Sequence, residues 1–234
     1  LGSISAVLLP VFSGMDKGNG MSNETLVVWN SALLKSAKLI FPMLIFSVFF
    51  AEPIMTCMYG DIYAQSSIYF VIKNLSGLFY IIPFYPIILA IGKTNSYANA
   101  HMIAAFMIVI AEYVVCKTFD SAVYVAITSE LCNLFKIWLL LRVIANYSHM
   151  KITELLPPKP MTILIMISVL ASLPPFLLLD FLNMNKFIVL FVCLGFFLVD
   201  YYVLCWICKV TYRDIAGGFL KNKSRLNAVV KILP

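Results

Sequence analysis

Six stretches of the chain stay apolar for about as long as a lipid bilayer demands. They cover 39–58, 66–91, 98–116, 122–141, 161–180 and 187–208. A helix rises about 1.5 Å per residue, so roughly 20 apolar residues cross a hydrocarbon core of about 30 Å. Inside that core every backbone N–H and C=O needs an internal partner, which leaves α-helices and closed barrels. Barrel strands alternate apolar and polar residues, and these runs do not alternate, so they read as helices. Hydrophobic residues make up 62% of the chain and charged residues 12%, more apolar surface than a soluble domain of this size hides from water. The expected fold is all-α, a polytopic transmembrane bundle with six full spans.

Residues 1–13 (LGSISAVLLPVFS) read as the back end of one more helix. Thirteen residues reach only about 20 Å, too short to cross. They lack the charged start of a signal peptide. The expectation is a partial helix in a fragment whose upstream helices are missing.

Charge gives the orientation. One set of connections (14–38, 92–97, 142–160 and 209–234) carries 13 Lys and Arg residues, and the opposite set carries only Lys117 and Lys186. Cytoplasmic loops carry the basic excess, so the first face and the C-terminal tail are expected in the cytoplasm. The outer turns hold Glu52, Asp61, Asp120 and Asp180. No connection is long enough to hold a soluble catalytic domain. The basic tail, 209–234, offers Ile215, Phe219, Leu226 and Val230 as an apolar face. It is either an interfacial helix on anionic lipid or a solvated tail obeying the charge rule. Nothing in this pattern calls for nucleic acid.

Prolines punctuate the spans at Pro42, Pro83, Pro86, Pro174 and Pro175. Each removes an N–H and bends or breaks a helix. Residues 155–160 (LLPPKP) form a stiff connector. It divides the chain into 1–155, a final helix pair within 156–208, and the tail 209–234. The cysteines lie mostly inside apolar runs, where they act as small hydrophobes. Cys205 and Cys208 form a C-x-x-C within a span but have no second Cys/His pair nearby. No metal site and no cofactor are expected.

Three stretches, in order and spacing, resemble the polysaccharide-biosynthesis membrane proteins of the multidrug/oligosaccharidyl-lipid/polysaccharide (MOP) superfamily, the O-antigen-type flippases of lipid-linked oligosaccharides. Residues 1–13 resemble the helix ending LLPVFS before a polar loop. Residues 50–63 (FAEPIMTCMYGDIY) resemble the outer turn of that family and contain Tyr59, Gly60 and Tyr63. Residues 86–94 (PIILAIGKT) resemble its helix exit and contain Pro86, Gly92 and Lys93. A fourth stretch departs from the family: Phe119, Asp120 and Ser121 stand where a glycine-rich turn is usual. The resemblance implies a two-lobe transporter of 12–14 helices. This chain would supply most of the second lobe, through residue 155, plus two appended C-terminal helices. It also implies the bacterial inner membrane, a place in lipopolysaccharide and cell-envelope synthesis, and polymerase and chain-length proteins as partners. Physically, Gly60 suits a turn, Tyr59 and Tyr63 suit the interfacial belt, and Gly92 suits a left-handed helix cap. These six family positions therefore read as structural.

Ionisable residues inside the spans are the candidates for function. Glu130 lies about 14 Å deep, and Asn133 and Lys136 follow it on one helical face. Lys73 lies about 10 Å below the outer surface. Glu112 stands near an outer helix end and Asp200 deep in the last span. Two readings stay open. These groups line a polar cavity for sugar hydroxyls and phosphates, or Glu130 pairs with a buried cation such as Lys73 and holds helices together.

The first functional reading is translocation of a lipid-linked oligosaccharide by alternating access, with no bond made or broken. The alternative is a multidrug or ion antiporter of the same superfamily using Glu130. A membrane-embedded polymerase or acyltransferase is a weaker one, because His101 and His149 have no visible nucleophile partner. A non-transporting scaffold is a third class.

Overall fold

A computed structural model describes residues 23–179 and 185–212. The partial helix at 1–13 and the tail beyond 212 lie outside the described residues. The described chain is helical, with no strand: α1 Asn23–Phe49, α2 Ala51–Tyr59, a 3₁₀ turn Asp61–Ser66, α3 Ser67–Gly77, α4 Phe84–Ala90, α5 Thr94–Thr118, α6 Ala122–Ser148, α7 Ile152–Leu155, α8 Pro158–Leu178 and α9 Lys186–Ile207. Five of these helices (α1, α5, α6, α8 and α9) are long and apolar enough to cross a membrane. The protein is a multi-pass membrane protein.

The second expected span, 66–91, is not one helix. It stops at Gly77 and resumes at Phe84. Pro83 and Pro86 cannot donate to the carbonyls of Phe79 and Ile82, the acceptors four residues earlier. The structure gives both carbonyls other donors. The Ile82 N–H reaches the Phe79 carbonyl at 3.4 Å, and the Phe84 N–H reaches the Ile82 carbonyl at 2.9 Å. Pro83 has φ −82° and ψ 66°, the inverse γ-turn geometry. The break is thus a self-satisfied turn, tolerable at membrane depth. The second half ends at Gly92, whose φ of +70° allows the Lys93 N–H to close on the Ile88 carbonyl at 3.0 Å.

The first expected span is also redrawn. The helix starts at Asn23 rather than near residue 39, and Lys35 and Lys38 lie within it, not in a loop. At its far end the helical bonding carries on past Phe49, with Phe50 N–H on Phe46 and Ile54 N–H on Phe50, both at 2.9 Å.

The described residues divide into two compact units. The first holds 23–34 and 68–158, and the second holds 35–67, 159–179 and 185–212. The last two helices thus share their unit with 35–67.

In the first unit α5 lies against α6, and α4 packs on both. On α5 the small residues Ala100 and Ala104 are buried, while Met102, Phe106, Val109 and Tyr113 stand exposed on the opposite stripe. Small residues let backbones approach where lipid supplies no hydrophobic drive, and the large apolar stripe suits lipid. The buried Trp29 indole donates to the Leu155 carbonyl at 2.8 Å, tying α1 to α7.

The second unit has an apolar centre of Phe46, Phe50, Ile167, Ala171, Cys193 and Phe197. Its charged contacts sit at the two ends of α9. Lys186 pairs with Asp61 at one end. At the other, Lys38 donates to the Thr211 carbonyl, and the Tyr212 hydroxyl donates to the Lys38 carbonyl at 3.1 Å. Pro42 deprives that carbonyl of its helical donor, so the tyrosine replaces it. Pro174 and Pro175 leave α8 unbroken. The Cys193 thiol donates to the Pro175 carbonyl at 3.6 Å.

Candidate functional site

Four of the candidate residues in the first unit converge on one line. Glu130, Asn133 and Lys136 project from the same face of α6, three residues apart. Lys73 comes from α3, just above the break. The Lys73 ammonium meets the Glu130 carboxylate at 2.6 Å. The other carboxylate oxygen of Glu130 accepts from the Asn133 amide at 3.4 Å. Lys136 donates to the Asn133 amide oxygen at 3.1 Å. The result is a ladder, Lys73–Glu130–Asn133–Lys136, with one anion held between two cations.

The ladder is lopsided. The Glu130 side chain is 12% exposed and that of Lys73 is 62% exposed. Lys73 also stands over the Tyr80 ring, 5.7 Å from its centroid. A carboxylate buried with a cation and an amide is satisfied. Hydrocarbon charges several kcal/mol for a lysine, so this exposed side chain is not suited to face lipid tails. The open side of Lys73 therefore needs water or further protein.

Below the ladder, the break opens into a cavity of about 220 Å³. Its wall includes Tyr80 and Tyr85 from the break, Tyr97 and His101 from α5, and Lys136 from α6. Lys136 is the residue common to ladder and cavity.

Four of the six sequence candidates thus come together. Glu112 lies half-buried on α5 and is not in the ladder. Asp200 lies half-buried on α9, in the second unit. Tyr59 and Tyr63 flank Gly60, with ring centroids 5.7 Å apart, and Gly60 takes φ +95°. Pro86 is buried at the start of α4, and Lys93 is exposed beyond the Gly92 cap. The sequence reading did not assign Tyr97 or His101 to any site. Their spacing of four on one helix was the available signal. Nothing in the sequence placed that face beside the proline break. No cluster of potential metal ligands occurs among the described residues.

No family model matches the sequence, and no curated protein matches it. Among solved structures, the lipid II flippase MurJ in an inward closed conformation superposes over 91% of this chain with a TM-score of 0.63. The fold resembles that of a lipid II flippase. Sequence identity is 18%, and the chain spans 43% of the length of MurJ.

Proposed function

We propose that this protein moves a lipid-linked oligosaccharide across the bacterial cytoplasmic membrane by alternating access. The observation that carries the reading is an exposed lysine beside a helix break, paired with a buried glutamate, in a helical bundle whose fold resembles a lipid II flippase. Lipid II is itself a lipid-linked precursor. On this reading the open side of Lys73 faces an aqueous passage for the head group. The lipid tail stays in the bilayer, and no covalent step is required.

Several finer assignments belong to the same proposal. Residues up to 155 act as most of the second lobe and 156–208 as an appended pair. Tyr59, Gly60, Tyr63, Pro86, Gly92 and Lys93 serve structure. The basic tail lies in the cytoplasm. The glycan belongs to an O-antigen-type repeat unit, with polymerase and chain-length proteins as partners. The competing antiporter reading needs a carboxylate free to bind an ion. Glu130 instead holds Lys73 and Asn133, which favours the head-group reading.

The test is reconstitution of the full-length protein in vesicles. The flippase reading expects a fluorescent lipid-linked oligosaccharide to become accessible in the opposite leaflet. Efflux of cationic drugs with no lipid-linked sugar movement would replace it with the antiporter.

A further inference from the structure

The cavity at the helix break has a chemistry of its own. Its lining contains Lys136, His101 and three tyrosines, and it contains no carboxylate. A cation would meet only repulsion there from Lys136, whereas an anion meets a permanent positive charge. The Lys136 ammonium carries three N–H donors, and the hydrogen bond to Asn133 occupies one. His101 adds a ring N–H on the facing helix.

The aromatic groups make the opposite wall. Tyr85 and Tyr97 meet edge to face at 5.7 Å between centroids, and Tyr97 lies 4.5 Å from the His101 ring. The three rings form a continuous amphipathic surface, apolar in body and polar at the tips. The volume, about 220 Å³, falls below the roughly 300–1,000 Å³ of pockets that enclose a drug-sized ligand. The cavity holds a fragment, one charged group and one ring, rather than an entire oligosaccharide.

The geometry points to a binding site for a sugar phosphate, with the phosphate on Lys136 and His101 and the sugar ring against Tyr97. A lysine ammonium forms charge-assisted hydrogen bonds to phosphate oxygens, and the imidazole N–H of His101 adds a neutral one. The site connects to the mid-span ladder through Lys136. This inference rests on the proposed transport reading only for one of its two sources, the head group of a lipid carrier. The other source is a free sugar phosphate from the cytoplasm.

Titration calorimetry on the detergent-purified full-length protein tests it with three probes: glucose 1-phosphate, a farnesyl-diphosphate-linked N-acetylglucosamine, and methyl glucoside. Both phosphorylated probes are expected to bind and methyl glucoside is not. Lys136→Gln is expected to weaken binding by about tenfold or more, the scale of one lost charge-assisted hydrogen bond. His101→Gln and Tyr97→Ala weaken it less, Lys136→Arg retains it, and the distant Lys117→Gln leaves it unchanged. Tighter binding of the prenyl-linked probe supports the site and assigns it to a lipid head group. Equal binding supports the site and assigns it to the free sugar phosphate. Undiminished binding in the Lys136→Gln/His101→Gln double variant, or no binding of either phosphorylated probe to a well-folded wild type, overturns it. The transport reading fails separately. Wild-type vesicles that bind the probe but flip nothing would end that reading and leave the site standing.

Discussion

The two units of the molecule place their polar contacts in opposite ways. The first concentrates them in the middle, along Lys73, Glu130, Asn133 and Lys136. The second has only serine and thiol contacts to backbone carbonyls near its aromatic and aliphatic centre and sets its charged contacts at the ends of α9, at Asp61–Lys186 and at Lys38–Thr211. The difference teaches where each can bear a change. Polar contacts at the membrane surface compete with water and contribute little. Polar contacts at mid-span have no such competitor, so losing one partner strands the other.

The largest effect is therefore expected in the first unit. Glu130→Leu leaves Lys73 without its anion. Breaking a buried pair costs about 3–5 kcal/mol, to be discounted to about 2–3 because Lys73 is largely open. Folded yield and melting temperature in detergent should fall, and Lys73→Met in the same chain should restore most of the loss. A double variant no better than Glu130→Leu alone would break the comparison, because Glu130 would then matter for reasons other than Lys73.

Phe197→Ala probes the centre of the second unit, where Phe197 lies 5.0 Å from Phe46 between ring centroids. Lipid is as apolar as the core, so only the cavity and contact terms count. The expected cost is about 2 kcal/mol, read as a lower melting temperature with unchanged probe binding at Lys136. Trp29→Phe removes the only donor described for the Leu155 carbonyl. Its expected cost is about 1–2 kcal/mol, read by the same melting assay.

The smallest effect belongs to the ends of α9. Asp61→Asn should change stability by less than about 1 kcal/mol. The informative readout there is sidedness. Single cysteines at Asp61 and at Lys38 should label from opposite faces of the membrane, with Asp61 outside. Labelling of both from one face would remove the depth assignment of the second unit.

What the sequence made legible follows from the same contrast. The spans were readable because hydropathy reports the solvent directly. The Lys73–Glu130 pairing was readable as an option because the two residues reach similar depth from opposite chain directions. The inward extension of α1 was not. Residues 23–38 mix Asn30, Lys35 and Lys38 with Trp29, Leu33 and Ala37, and a hydropathy run cannot separate an amphipathic helix from a loop. The break at 78–83 was only half readable. Pro83 and Pro86 announce a disturbance, but the γ-turn that repairs it depends on local bonding. The cavity was unreadable because its walls come from three separate segments that only packing brings together.

The placement of Lys38 and Asp61 gives the protein a ruler. Between them α9 runs 22 residues, or about 33 Å along its axis. Each end is fastened by a charge to a neighbouring segment, so neither end can slide without losing its fastening. A bilayer a few Å thicker would have to thin locally around this unit, and a thinner one would have to swell or let the helices tilt, each at a fraction of a kcal/mol per Å. The two fastenings hold α9 in register with 35–67, so a bilayer of different thickness meets these segments as one piece.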